Sequence, residues 1–430
     1  MVRFNKKLLY NFFIYAFGSI LLKGASFIII PLLMHKVAPT DIGLLSLLNN
    51  CIALTAIIIA CGLRQALSIE FFHKNPTEQK TMIVDIIVIY CTIAPTILAI
   101  LYYNRAYINN TLFANRATQL IFIICFAQCF LTFFAELLYQ VLMYRCQALF
   151  LTLLQISTAC VTFLISFYTI YYTDIGIIGI LYANFFGILF VCCIGLYGFF
   201  AKSLYKSYSL KRAQQTMRYY IVLGLPFIPS VLAGWALISI NRWLIAAYCS
   251  LHEVGIYSII DMGQNLFRIF ILYPLSGAYL PLLLKQFAQH KNDKLALRAI
   301  DQKNKKLMYY CMIAVSILTL LGYYIGKPIA YKLFPPVYHK ALPWLLLLAA
   351  ANIFLMGSYF TTCYLQFCKK SFVLAGSLAV TALIAIGLSR ILIPIFGIPG
   401  GLVGLLIAYM LYFVALVYIN NYYHRNINEY

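Results

Sequence analysis

The chain has 430 residues, of which 63% are hydrophobic and 10% charged, against about 45–50% and about 25% in a soluble globular protein. At roughly 20 apolar residues per spanning helix, this content supplies roughly a dozen spans and excludes a soluble enzyme carried on a single anchor. Thirty-two Lys and Arg against 11 Asp and Glu give a net charge of +21; on a soluble chain that excess would point to nucleic acid, whereas here it first reports orientation in a bilayer.

Apolar runs bounded by charge or turn residues predict an all-α, polytopic membrane protein. The predicted spans lie near 10–34, 43–63, 82–103, 117–139, 150–172 and 176–200, then 219–247, 254–284, 307–326, 341–365, 371–394 and 399–421. The first run is too long for a signal peptide, contains Lys23 and lacks a small-x-small cleavage site, so it reads as a span. Pro226 and Pro229 in span seven and Pro274 and Pro281 in span eight predict kinks. The longest polar stretch, Lys285 to Lys306, suits a connector or a short amphipathic helix and no folded extramembrane module. Thirteen Cys fall mostly in apolar runs with no C-x-x-C pair and no His at ligand spacing. They read as small buried apolar residues, with no metal site and no disulfide framework.

Twelve spans place both termini on one side. That side collects 22 of the 32 basic residues, the other side six, which makes the termini cytoplasmic in a multi-pass protein. Lys23, Arg242, Arg268 and Arg390 are left inside predicted spans.

Two traces show that the halves repeat. Pro39-Thr-Asp-Ile-Gly43-Leu-Leu-Ser-Leu47 matches Leu251-His-Glu-Val-Gly255-Ile-Tyr-Ser-Ile259 at an offset of 212, and Asp174-Ile-Gly-Ile-Ile-Gly179 matches the segment ending Gly397-Ile-Pro-Gly400 at 221. The first follows span one of each half and the second precedes span six. This divides the chain into six-helix lobes, 1–212 and 213–430, related by a parallel repeat, a build that places a transport site between the halves near the midplane.

A charge at the bilayer centre costs about 2.5–3.5 kcal/mol even on the lenient insertion scale, so such residues face a cavity or a partner. Lys23 lies about midway along span one, with Ser19 and Ser26 on its face. In span eight Asp261, Gln264, Asn265 and Arg268 form one polar stripe at i, i+3, i+4 and i+7; in span four Gln128, Thr132, Glu136 and Gln140 recur every fourth residue. Plain structural roles compete with functional ones. Asp261 and Arg268 could satisfy one another, Glu136 could pair with Arg64 or Arg145, and Arg242 and Arg390 could snorkel to the outer interface. Basic residues nonetheless outnumber acidic ones inside the spans, which suits an anion such as phosphate or pyrophosphate. The 35 Tyr and 32 Phe serve mainly packing and interfacial belts, with some available as platforms for sugar rings.

Lys23-Gly24, Pro31-Leu-Leu33, Pro39-Thr-Asp-Ile-Gly43 and Gly62-Leu-Arg-Gln-Ala66 resemble the opening of polysaccharide flippases of the O-antigen (Wzx) type. Leu225-Pro-Phe-Ile-Pro229, Asn241-Arg242-Trp-Leu-Ile245, His252-Glu-Val-Gly-Ile-Tyr257 and Ile393-Pro-Ile-Phe-Gly397-Ile-Pro-Gly-Gly401 resemble that family's second-half signatures in matching order. Many relatives have Asp before the Arg that ends span seven, and here the residue is Asn241. The resemblance implies a member of the multidrug/oligosaccharidyl-lipid/polysaccharide (MOP) superfamily that moves an undecaprenyl-pyrophosphate-linked oligosaccharide to the periplasmic leaflet. It implies no enzymatic activity and no cofactor beyond coupling to H+ or Na+. On this reading Lys23, Arg64, Arg242 and Arg268 hold pyrophosphate or acidic sugars, Asp261 and Glu136 are the coupling-ion candidates, and Gln264, Asn265, Gln128 and Thr132 line the cavity. The expected partners are the lipid-linked glycan, membrane lipid and polysaccharide polymerase machinery, with no nucleic acid. The alternatives are a small-molecule or drug exporter of the same superfamily and a membrane glycan polymerase or ligase. Exporters of cations favour an acidic cavity, and the enzymes usually carry a large outer loop.

Overall fold

A computed structural model describes residues 29–425 except 114, 146, 174, 196–209, 273–274, 276–278, 291–292 and 369. The described elements are helical, with no strand among the described residues. In chain order they are α1 (29–36), α2 (Pro39–Ile59), α3 (Leu63–Glu70), α4 (Pro76–Tyr103), α5 (Arg105–Phe113), α6 (Gln119–Tyr144), α7 (Ala148–Tyr172), α8 (Ile177–Gly195), α9 (Leu210–Gly224), α10 (Ile228–Tyr248), α11 (Leu251–Phe267), α12 (Leu280–Gln289), α13 (Lys294–Leu333), α14 (Leu345–Phe367), α15 (Ser371–Phe396) and α16 (Ile398–Arg425). Local chemistry starts several of them. Asn75 and Glu78 form a capping box ahead of α4, where Pro76 takes a position whose N–H has no helical acceptor. The Asp293 carboxylate accepts the Leu295 and Ala296 N–H groups at 3.0 Å each and so opens α13.

Ten helices among the described residues are long and apolar enough to cross a membrane. Three of the predicted spans need comment. Span one, 10–34, lies almost wholly outside the described residues. Span eight, predicted as one run over 254–284, changes its winding: α11 ends at Phe267, the described residues from Arg268 on are π-helical, and α-helix α12 begins at Leu280. Span nine is far longer than predicted. Helix α13 runs 40 residues and takes in the second half of the polar stretch, because Leu297, Asp301, Asn304 and Met308 recur on one buried face. Hydropathy falls where charges begin, but the helix continues. The Pro226 kink appears as a 3-10 turn, Leu225–Phe227, between α9 and α10.

The chain packs as two compact units. One holds the described residues to Val37 and Leu44–Leu232; the other holds Ala38–Gly43 and the chain from Ala233. The first unit thus extends past the expected boundary at 212, because α9 packs on α3 and α4. In the first unit α8 packs on α6 and α7, and Tyr90 stacks on Phe133 with ring centroids 3.8 Å apart. In the second, α16 lies against α14 and α15, and Leu283 and Phe287 of α12 join Leu297, Cys363 and Tyr364 in one cluster.

Both repeat traces have a structural counterpart. Within the second unit a Cβ at Gly43 would lie 2.0 Å from the Leu251 carbonyl oxygen, and one at Gly255 would lie 1.9 Å from that of Pro39. The two copies of the motif cross reciprocally, and only glycine permits that approach. Gly176 and Gly397, ahead of the sixth helix of each half, both have positive φ, 62° and 64°.

Candidate functional site

The predicted polar residues gather at two places, one in each unit. In the first unit, α3 begins just after Gly62 and presents Arg64 to α6, where its guanidinium pairs with the Glu136 carboxylate. The Gln140 amide donates to the Arg64 carbonyl oxygen at 3.2 Å and to the Tyr144 hydroxyl at 2.8 Å. Both charged side chains remain partly exposed, and the Arg64 Nε has no acceptor among the described residues. Of the other α6 residues, the Thr132 hydroxyl donates back to the Gln128 carbonyl oxygen at 2.7 Å, whereas the Gln128 side-chain oxygen is buried without a partner. The structure therefore joins Glu136 to Arg64, not to Arg145.

The same unit holds a pair that the sequence reading missed. Arg212 of α9 grips Asp85 of α4 in a two-pronged contact, Nε at 2.9 and 3.1 Å and one terminal nitrogen at 2.8 Å. Two helical turns beyond, the Tyr219 hydroxyl donates to Glu70 at 2.7 Å. Asp85 lies inside an apolar run, and a lone buried acid demands a cation; the partner 127 residues away is not readable from spacing.

In the second unit the predicted stripe divides. Asp261 and Gln264 are buried, Arg268 is half-buried, and Asn265 is exposed. Asn265 thus does not share the inward face, because it sits at the edge of the arc just before α11 gives way to the π-turn. Asp261 pairs with Arg242, not Arg268, and both side chains of the pair are largely sequestered. Arg242 is thereby turned to a neighbouring helix instead of snorkelling outward. Arg268, the first residue of the π-turn, meets the Tyr409 hydroxyl of α16 and forms no ion pair of its own among the described residues. Beside it the second Asp261 oxygen and the Gln264 amide nitrogen are buried without a hydrogen-bond partner among the described residues. Asn241 ties three helices together: the Ser389 hydroxyl donates to its side-chain oxygen at 2.9 Å, and its amide donates to the Gly401 carbonyl at 3.1 Å.

Among the described residues two guanidinium groups thus stand in one helix-packed cluster with a single carboxylate, which is paired to Arg242; the positive charge in excess lies at a π-turn, a helix defect that recurs at functional sites. That arrangement can hold an anion. Lys23 lies outside the described residues. No group of three or more His, Cys, Asp and Glu able to hold a metal occurs among the described residues.

The sequence profile of the polysaccharide biosynthesis protein family matches residues 8–287. The chain belongs to this family. No curated protein sequence matches it. Solved structures agree on the fold of this family member. An inward-facing multidrug resistance MATE transporter of the MOP superfamily is 13% identical, with a TM-score of 0.73 over 95% of this chain and 96% of that one. The lipid II flippase MurJ in an inward closed conformation is 13% identical, with a TM-score of 0.67 over 97% and 87%. A MOP superfamily transporter from Pyrococcus furiosus, described as having a binding pocket of reverse polarity, is 12% identical, with a TM-score of 0.61 over 98% and 96%. The chain shares the fold of these transporters, and its long apolar helices make it a multi-pass membrane protein.

Proposed function

We propose that this family member moves an undecaprenyl-pyrophosphate-linked oligosaccharide, the repeat unit of an O-antigen or similar surface polysaccharide, from the cytoplasmic to the periplasmic leaflet of a bacterial inner membrane. The observation that carries the reading is Arg268, a half-buried guanidinium without an ion pair among the described residues, on the same stripe as an Asp261 already paired with Arg242. An anionic headgroup supplies the missing counter-charge, and guanidinium suits the two-oxygen geometry of phosphate. The family match and the likeness of fold to a lipid II flippase support the same class of cargo.

In this reading Arg242, Arg268, Arg64 and Lys23 meet pyrophosphate or acidic sugars while the polyprenyl tail stays in lipid, and the protein works by alternating access. Asp261 and Glu136 each hold a guanidinium in the present structure. A proton or sodium ion arriving at either carboxylate would weaken that pair and release the arginine to the cargo, which links the ion gradient to headgroup binding. A small-molecule exporter is the second reading, favoured by the likeness to MATE transporters, and the cationic excess at Arg268 argues against a cationic drug as its cargo.

The test is a leaflet-resolved assay of lipid-linked glycan in cells lacking the protein. Single lipid-linked units accumulating in the cytoplasmic leaflet support flipping. Units that reach the periplasmic leaflet but remain unpolymerised would indicate a polymerase, and unchanged glycan would indicate an exporter of something else.

A further inference from the structure

Helix α13 differs from the other spans. It runs without a break from a polar segment, which packs one face at Leu297, Asp301, Asn304 and Met308, into a long apolar one that is mostly uncovered by the rest of the protein. Along one arc of about 140°, the exposed residues change character in order. Arg298, Lys303 and Lys306 come first, then Tyr309 and Tyr310, which are 54% and 69% exposed, and then an apolar run beginning at Ile313. Lys306 stands about 6 Å along the axis from Tyr310, comparable with the depth of the polar layer on one side of a bilayer.

The acids nearby are occupied. Asp301 is buried, 2.8 Å from Lys305 and 3.5 Å from the Asn420 amide, and Asp293 caps the helix through the Leu295 and Ala296 N–H groups. Arg298, Lys303 and Lys306 form no ion pair among the described residues. At the other end of α13 the cation Lys327 lies over the Tyr323 and Tyr331 rings, so the two ends of this helix are not equivalent.

We propose that this face binds the headgroups of anionic phospholipids. The three cations meet the phosphates, the two tyrosines sit at the interface, and the acyl chains lie along the apolar run. Charge complementarity selects the partner: a line of cations that leads down the uncovered arc of the helix to an aromatic band attracts negative headgroups at short range. This assignment does not depend on what the protein transports.

The test uses the purified full chain in mild detergent, titrated with phosphatidylglycerol and with phosphatidylcholine, the bound lipid being counted by native mass spectrometry. Phosphatidylglycerol should be retained several-fold more, a preference that vanishes at about 1 M salt, where the Debye length is about 3 Å. Arg298→Gln/Lys303→Gln/Lys306→Gln should lose this preference. The charge-matched variant Lys80→Gln/Arg116→Gln/Arg218→Gln should keep it. Equal retention of the two lipids by the unmodified protein, or the same loss in both triple variants, would overturn the proposal.

Discussion

Replacing Asp261 with Asn leaves Arg242 and Arg268 together with no carboxylate between them. In the present structure the Asp261 and Arg242 side chains are only 10% and 13% exposed, and breaking such a buried pair from one side typically costs about 3–5 kcal/mol. Arg242→Gln should cost less, because Arg268 on the same face remains close enough to act on Asp261. The double variant Arg242→Gln/Asp261→Asn removes one charge of each sign and returns the cluster to its original net charge. It should be more stable than the sum of the single losses allows, with a coupling energy of about 2 kcal/mol, inside the usual range for contacting residues. Unfolding of the purified protein in mixed micelles, followed by intrinsic fluorescence, gives the four stabilities of the cycle. Additivity to within about 0.5 kcal/mol, the behaviour of independent sites, would show that the two residues do not form the pair described.

Two further outcomes follow from local geometry. Gly255→Ala places a methyl group 1.9 Å from the Pro39 carbonyl oxygen and should destabilise by about 1–3 kcal/mol or more, whereas Gly376→Ala, with open space around it, should be neutral or stabilising by up to about 1 kcal/mol; equal melting temperatures would contradict the reciprocal crossing. Cys249 is exposed just beyond α10, where burial and then the nearby Glu253 carboxylate push its thiol up. Less thiolate is then present at neutral pH, so labelling from the outer face by an impermeant maleimide should rise with pH into the alkaline range and accelerate in Glu253→Gln; labelling from the cytoplasmic face alone would reverse the orientation derived from the basic residues.

Hydropathy and charge sufficed for the helical class and the repeat, because both are written locally. The glycines at 43 and 255 stand at matching places in two nine-residue traces, and they prove to be where the backbones cross. The failures are equally physical. The π-turn in span eight is invisible to hydropathy because the change of winding costs no hydrophobicity, and α13 reads as short because a helix leaving an apolar layer keeps its period after it loses its hydropathy. At the site, the stripe on α11 was legible from its spacing, while the pairing was not. Asp261 could be assigned to Arg268 on its own helix or to a neighbour, and only packing places Arg242 against it. Asp85 and Arg212 show the same limit: an in-span acid signals that a partner exists, and the tertiary fold decides which.

The most direct test of the anion-holding role is translocation by the purified protein in vesicles, using a fluorescent glycan on an undecaprenyl-pyrophosphate and the same glycan on an uncharged polyprenyl linkage. The protein should move the charged lipid and not the uncharged one. Arg268→Ala should abolish that movement at equal protein abundance, while Arg268→Lys retains part of it. Equal transfer of both lipids, or undiminished transfer by Arg268→Ala, would contradict the assignment of the excess guanidinium to an anionic headgroup.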